Sequence, residues 1–247
     1  MGILRRYLSS SDIQFSVDIL KIPQNLPEPF RILILGTISP QLLQYLLKKS
    51  IEVIILAPNI HQAQHLSDTF PTKNLTVGLL DYTDLKSTFS NSQMLFHRII
   101  VSECLGKINP RAPFIQTISE MLEPSGFIFL KTLTMIPIFE SDRKNLKPKQ
   151  YQIWEYQKKL IDYWGYNFST TQSLINDMTP YFKVKYQEIK LLQLIWLFNY
   201  KDIKKILQLY FLDMGYSYTD LHEWRAISNL NYTIFKLYPL NYKEIKS

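Results

Sequence analysis

Short apolar runs alternate with amphipathic segments along the first half of the chain. The runs are rich in Ile, Leu and Val and lack the polar–apolar alternation of a half-exposed strand, so they predict strands buried on both faces. They lie at residues 31–36, 51–59, 75–80, 95–102 and 127–133. The segments at 41–50, 59–70 and 113–126 place apolar side chains on one helical face. This rhythm predicts an α/β fold, a mostly parallel sheet with helices on both faces.

The second half of the chain is more aromatic and more basic. Residues 136–150 form a polar, lysine-rich break, and 153–164 and 173–182 have the pattern of helices. A long amphipathic region rich in Tyr, Trp, Phe and Lys follows at 184–211, and 231–239 predicts a last strand. Aromatic side chains at this density favour a protein interface, because so much ring surface is rarely left in water.

Charge and cysteine content narrow the classes of function. The formal net charge is +7, which suits nucleic acid, anionic lipid headgroups or an acidic protein, and which is also compatible with a solvated lysine surface. Cys104 is the only cysteine, so an intrachain disulfide and a thiolate metal cluster are excluded. No run of residues is long and apolar enough to span a bilayer, and we predict no transmembrane segment.

The N-terminal residues are basic, serine-rich and free of acids. The first eleven residues read MGILRRYLSSS, and the first acid is Asp12. This composition is typical of a mitochondrial targeting segment, and equally of an ordinary basic start to a cytoplasmic protein. We expect a mitochondrial location, with cytoplasm as the alternative, and no secretion.

Two sequence motifs carry a resemblance to a known family. LDYTDL ends the third predicted strand, and LEPSGFIFL leads into the fifth. With the order of the elements, they make the chain similar to the class I S-adenosylmethionine-dependent methyltransferases, and more narrowly to the cyclopropane-fatty-acid synthase branch. The resemblance covers roughly residues 30–135.

The resemblance implies a fold and a division of the chain. The fold is a Rossmann-like class I methyltransferase fold with a helical C-terminal extension. We expect an N-terminal lead-in at 1–28, a methyltransferase-type core at 29–135, and a mainly helical extension with a final strand at 136–247. The cofactor implied by the family is S-adenosylmethionine.

The loop after the first strand departs from the family pattern. The family has an acid followed by three alternate glycines, which let the backbone approach the cofactor while the acid orients it. Here Gly36 is the one glycine that remains, Ile34 replaces the acid, and Ile38 and Pro40 replace the other glycines. A β-branched Ile38 resists positive φ and projects into the expected cofactor volume.

Of the remaining family contacts to the cofactor, the ribose contact is absent and the adenine contact is matched. The second strand ends without the carboxylate that holds ribose hydroxyls, and Asn59 there is better explained as a helix cap. Asp81 and Tyr82 match the adenine side of the family site, although Asp81 also suits a turn. The candidate cofactor-binding residues, if the ancestral site is retained, are therefore Gly36, Asp81 and Tyr82.

The residues of the family reaction centre are missing. Gly106 and Lys107 replace the Glu-His pair that organises bicarbonate in the synthases, and Ile189 replaces a reactive tyrosine. His61 and His65 have the spacing of a zinc-protease helix, but the glutamate that this motif needs is Gln62. We predict no catalytic residue and no metal site.

The sequence therefore favours a degenerate methyltransferase-like protein that serves as a structural or accessory subunit of a larger assembly, with no cofactor expected. We expect protein partners to bind through the region Tyr181–Tyr210, which could also contact anionic lipid or RNA. One alternative is an active methyltransferase or cyclopropane-synthase-like enzyme that uses S-adenosylmethionine on a lipid or small molecule. Another is an RNA-binding module.

Overall fold

The fold was obtained as a computed structural model. It describes residues 20, 22–23, 29–49, 51–81, 85, 89, 94–102, 104–135, 169–190 and 230–242. The strands within these residues are β1 (Arg31–Gly36), β2 (Glu52–Ala57), β3 (Leu75–Leu79), β4 (Phe96–Ser102), β5 (Leu122–Met135), β6 (Phe182–Lys190) and β7 (Leu230–Pro239). The helices are α1 (Pro40–Lys48), α2 (Ile60–Thr69), α3 (Arg111–Glu120) and α4 (Thr171–Met178).

The strands form one sheet in the order β3-β2-β1-β4-β5-β7-β6. β1 pairs in parallel with both β2 and β4, β2 with β3, and β4 with β5. The central strands β1, β2 and β4 are buried along almost their whole length. The predicted α/β architecture with a mostly parallel sheet is thus confirmed, and the apolar runs in β1, β2, β4 and β5 form its core. The run at 75–80 was predicted to be buried on both faces, and this is wrong: it forms the edge strand β3, which lacks a neighbour on one side, and Leu79 is 52% exposed.

Polar caps determine where the first two helices begin. The Ser39 hydroxyl accepts a hydrogen bond from the N–H of Leu42 at 3.2 Å, and Pro40 occupies the first helical position, where no N–H partner is needed. The Asn59 side chain accepts from the N–H of Gln62 at 2.9 Å. The predicted cap at Asn59 is therefore present in the structure.

The predicted helix at 113–126 is too long at its C-terminal end. α3 ends at Glu120, and β5 begins at Leu122, which lies beside Phe96 of β4. The register then shifts between Phe96 and Arg98, so the segment around Gly126 bulges away from regular pairing. Pairing with β4 outweighs the helical pattern of these residues.

The C-terminal part contains one more strand than predicted. We expected a single closing strand, whereas β6 and β7 both join the sheet. In β6 a buried Phe182 and a half-buried Val184 alternate with exposed Lys183 and Lys185, which is the period of a strand. α4 overlaps the helix predicted at 173–182 but begins two residues earlier and ends at Met178, and Phe182, predicted to be helical, begins β6. The helix predicted at 153–164 lies outside the described residues.

Two compact units make up the chain. One comprises residues 1–132, 175–186 and 234–247, and the other comprises 133–174 and 187–233. The second unit contains a cluster of hydroxyl groups, in which the Oγ1 atoms of Thr134 and Thr233 lie 2.6 Å apart and Thr171 joins them. None of the helices in the described ranges has the length and apolar character needed to cross a membrane.

Candidate functional site

The carboxyl edge of the sheet contains the candidate site. In an open parallel sheet, ligands bind where neighbouring strands continue to opposite sides, and here that point lies between β1 and β4. Gly36 ends β1 and pairs with Ser102, which ends β4. The loops after these two strands therefore decide whether a crevice is open.

Gly36 is required by the neighbouring backbone. Its φ is +105°, a conformation that residues with a side chain rarely adopt. A Cβ atom there would overlap the carbonyl oxygen of Ser102 and lie 3.5 Å from the Cβ of Cys104. The one glycine kept from the family motif is thus explained by packing of the protein against itself, without a ligand.

Three contacts cross the switch point, each between the end of one of these strands and a residue just after the other. The Thr37 N–H donates to the carbonyl oxygen of Ser102 at 3.4 Å, and the two hydroxyl groups also lie 3.4 Å apart. The buried thiol of Cys104 donates to the carbonyl oxygen of Leu35 at 3.5 Å. Polar groups at the mouth of the expected crevice therefore bond to one another.

Ile34, at the position where the sequence resemblance leads us to expect an acid, lies in an apolar layer. It pairs with Ile55 of β2 on one side and with Ile100 of β4 on the other. The three side chains are 0%, 0% and 4% exposed. A carboxylate at this position would have isoleucines on both neighbouring strands and would lose its hydration.

The N-terminus of α1, which could face an anionic ligand, is engaged by its own residues. Pro40 has no N–H, while the N–H groups of Leu42 and Leu43 donate to the hydroxyl and carbonyl oxygens of Ser39. The bond from Leu43 is the first regular bond of the helix; of the four preceding N–H positions, Ser39 to Leu42, which lack an intrahelical partner, Pro40 and Leu42 are thus without a free donor for a bound ligand. Ile38, in the loop before this helix, is half-buried.

The ends of β2 and β3 hold the remaining candidates. At the end of β2, Asn59 uses its side-chain oxygen to cap α2, so this oxygen is engaged where a ribose ligand would be expected. Asp81 is exposed just beyond β3, and β2 lies between β3 and the strand that ends in Gly36. Two strand spacings separate these edges, about 10 Å. Tyr82 lies outside the described residues.

The N-terminal end of β4, at the edge of the sheet opposite the candidate site, contains two titratable residues that the sequence prediction missed, His97 and Arg98. The Nδ1 atom of His97 accepts from the N–H of Arg31 at 3.3 Å, and its ring stacks on Phe30 at 4.6 Å. Burial lowers the pKa of His97, and the charges of Arg98 and Arg31 lower it further, against the opposite effect of Glu123. Burial also lowers the pKa of Arg98 to about 10. The sequence signal that could have identified them is a histidine followed by an arginine within the otherwise largely apolar run at 95–102.

Comparison with known proteins adds to this geometry. No protein-family model and no curated protein sequence matches the chain. Among solved structures, the mycolic acid cyclopropane synthase CmaA1 superposes with a TM-score of 0.71 at 14% identity, covering 94% of this chain and 84% of that one. The chain has the class I methyltransferase fold. The resemblance seen in the sequence is therefore confirmed at the level of fold.

Two further structures agree. The cyclopropane synthase MmaA2 from Mycobacterium tuberculosis gives a TM-score of 0.62 at 13% identity, covering 92% of this chain and 83% of that one. A phosphoethanolamine N-methyltransferase of Haemonchus contortus, solved with S-adenosylhomocysteine, gives 0.64 at 12% identity and 92% coverage of this chain. The chain spans about half, 52%, of the length of the Haemonchus enzyme.

Proposed function

We propose that this protein is a non-catalytic member of the methyltransferase fold that serves as a structural or accessory subunit of a larger assembly in mitochondria. The observation that carries the proposal is the apolar layer around Ile34, at the position of the family acid. We also propose residues 29–135 as the methyltransferase-type core and 136–247 as an extension specific to its role.

The energetic consequence for the cofactor is large. Hydrogen bonds to charged groups contribute about 1.5–3 kcal/mol each. Replacing the acid with Ile34 and leaving no carboxylate at the end of β2 removes two such groups. Together they would remove about 3–6 kcal/mol, which weakens binding by about 10² to 10⁴-fold. The contacts between Thr37 and Ser102 act in the same direction, because a ligand would have to displace them.

An exposed aromatic side chain supports the role as a subunit, and the N-terminal residues support the location. Tyr186, within the region Tyr181–Tyr210, has 54% of its surface exposed. Exposed aromatic side chains are enriched in protein interfaces. Arg5 and Arg6 in an acid-free N-terminus support the mitochondrial location.

The test combines size and activity. Untagged protein in an extract of its source is followed by size-exclusion chromatography, and the same fractions are incubated with methyl-labelled S-adenosylmethionine. We expect elution well above the 29.3 kDa of one chain and no label transferred. A free monomer that transfers the methyl group to any acceptor would refute the proposal.

A second candidate function is an active methyltransferase or cyclopropane-synthase-like enzyme acting on a lipid or small molecule. It is favoured by the exposed Asp81 at the end of β3, and by neighbours of this fold solved with S-adenosylhomocysteine. This candidate requires that Asp81→Ala weakens S-adenosylmethionine binding at least tenfold, while Asp68→Ala on the exposed face of α2 leaves it unchanged.

A further inference from the structure

A buried arginine near the start of β4 contacts a residue far upstream in the chain. Arg98 is 7% exposed, and its Nε atom donates to the carbonyl oxygen of Leu20 at 2.9 Å. Its Nη1 atom donates to the carbonyl oxygen of His97 at 2.7 Å. Leu20 lies 78 positions earlier in the sequence and is fully buried. At least one residue of the lead-in predicted at 1–28 is thus packed against β4.

Two aromatic rings fix the position of the Arg98 guanidinium. Its central carbon lies 4.1 Å from the ring centre of Phe127 in β5, and 5.4 Å from that of Phe30, which directly precedes β1. Both phenylalanines are buried. Burial lowers the pKa of Arg98 to about 10, so the side chain remains charged near neutral pH. These ring contacts belong to the sheet and do not involve Leu20.

The backbone of Leu20 explains why its carbonyl group accepts from a charged donor. Leu20 is helical, whereas Ile22 and Pro23 are not. The last carbonyl groups of a helix have no partner within the helix, and a positive charge nearby stabilises that end. Arg98 supplies both the donor and the charge. If Leu20 moved away, a buried charge would lose one of its acceptors, and this penalty opposes the movement.

We propose that Arg98 is a latch that keeps Leu20 within the folded structure, so that a protease acting on the folded protein can remove N-terminal residues only ahead of Leu20. Cleavage at or after Leu20 requires the residues around the cut bond to leave their packed positions, and the latch opposes that local opening. The latch lies near the start of β4, at the edge of the sheet opposite Gly36. It therefore depends neither on catalysis nor on the location of the protein.

Limited proteolysis with trypsin tests the latch, because trypsin cleaves after lysine and Lys21 follows Leu20 directly. The full-length protein is digested under native conditions, and mass spectrometry follows the N-terminal peptides that end at Lys21. Cleavage after Lys131, which lies in β5 between two buried residues, requires the sheet to open and reports global unfolding in the same samples. A synthetic peptide of residues 14–28 gives the cleavage rate after Lys21 without the fold.

Two variants weaken the latch, and a third is the matched control. Arg98→Met removes the donors, while its unbranched side chain still packs between the two rings. Leu20→Ala weakens the same contact from the other side by removing buried apolar surface. The control is Arg111→Met, because Arg111 in α3 also donates to a residue distant in the sequence, Asp177, at 3.0 Å. Circular dichroism and thermal unfolding establish which variants fold.

In the native protein, we expect cleavage after Lys21 to be at least about 100-fold slower than in the peptide, because it follows the small population of the opened state. Arg98→Met should raise the ratio of cleavage after Lys21 to cleavage after Lys131 by about 10- to 100-fold, the factor for one lost hydrogen bond to a charged group. Leu20→Ala should raise the same ratio, and Arg111→Met should leave it unchanged.

Three results would overturn the proposal. The first is an unchanged ratio in Arg98→Met, or in Leu20→Ala if the arginine variant does not fold. The second is an equal rise in the control, which would mean that any lost contact opens the N-terminal residues. The third is cleavage of the native protein after Lys21 as fast as that of the peptide, which would mean that Leu20 is not held.

Discussion

Ile34 and Ile55 lie side by side in adjacent parallel strands, and both side chains are fully buried. In the family that the sequence resembles, the first of these positions carries the acid that orients the cofactor. In this protein the same position contributes an apolar contact to the sheet core. A buried apolar layer at this point stabilises the fold. Under the proposed function it also leaves the cofactor without one of its anchors.

Restoring the acid should damage the protein instead of rescuing it. Ile34→Asp buries a charge among isoleucines, and we expect the free energy of unfolding to fall by at least about 3 kcal/mol. Ile34→Val, the control, should cost about 0.5–1.5 kcal/mol. Urea unfolding measures both. The Asp variant should lose less stability at pH 4 than at pH 7, because burial favours the protonated carboxyl group. An Asp variant as stable as native protein would mean that the position is open to solvent or ligand.

We predict that Gly36 is needed for the stability of the fold. Gly36→Ala forces a side chain into positive φ and against the carbonyl of Ser102, which we expect to lower the free energy of unfolding by about 2–5 kcal/mol. Gly78→Ala is the control, because its added carbon meets only the end of the Leu56 side chain at 3.1 Å. Guanidinium titrations compare the two variants. Equal tolerance at both positions would contradict the packing explanation.

Asn59 should act as a helix cap. Asn59→Ala removes the acceptor for the N–H of Gln62, so we expect the free energy of unfolding to fall by about 0.5–2 kcal/mol. Asn59→Asp keeps an acceptor and should preserve stability. Thermal unfolding with and without 1 mM adenosine, a concentration on the order of a weak Kd, separates the roles. A stabilisation by adenosine that only the native protein shows would indicate a ribose contact.

Stability should fall in mild acid because of His97. Burial lowers its pKa in the folded state below that of the unfolded chain, so the unfolded chain binds the proton more readily. The contribution of neutral His97 is present above the unfolded pKa of about 6.5, and it is lost as pH falls through that value towards the folded pKa. Protonation also removes the acceptor for the Arg31 N–H.

Two variants isolate this effect. His97→Gln retains an acceptor without titrating, and it should flatten the dependence of unfolding free energy on pH between about 5 and 7. His61→Gln on the exposed face of α2 should leave that dependence as in the native protein. If the two variants behave alike, His97 does not control the acid sensitivity.

The sequence allowed most of the central sheet to be predicted, because strands buried on both faces leave uninterrupted apolar runs such as 31–36. β6 was missed, since an edge strand with exposed lysines resembles the amphipathic region that follows it. The start of β5 was missed because Pro124 and Gly126 signal the end of a helix, whereas here they lie in a bulge set by pairing with β4.

The position of the candidate site could be predicted from the sequence, but the contacts between its residues could not. The substitutions at Ile34 and Ile38 are visible in the motif itself. The contact between Thr37 and Ser102 joins residues 65 positions apart, and it cannot be predicted from the sequence pattern around either residue. The same is true of the bond from Arg31 to His97, across 66 positions.

The most direct test is a calorimetric titration of the purified protein with S-adenosylmethionine, repeated with S-adenosylhomocysteine. A Kd of about 1 µM requires about 8 kcal/mol of binding free energy. We predict no saturable heat with either ligand, because Ile34 and the joined loops after β1 and β4 leave the ligand without its anchor. Saturable one-to-one binding in the micromolar range would contradict the central claim.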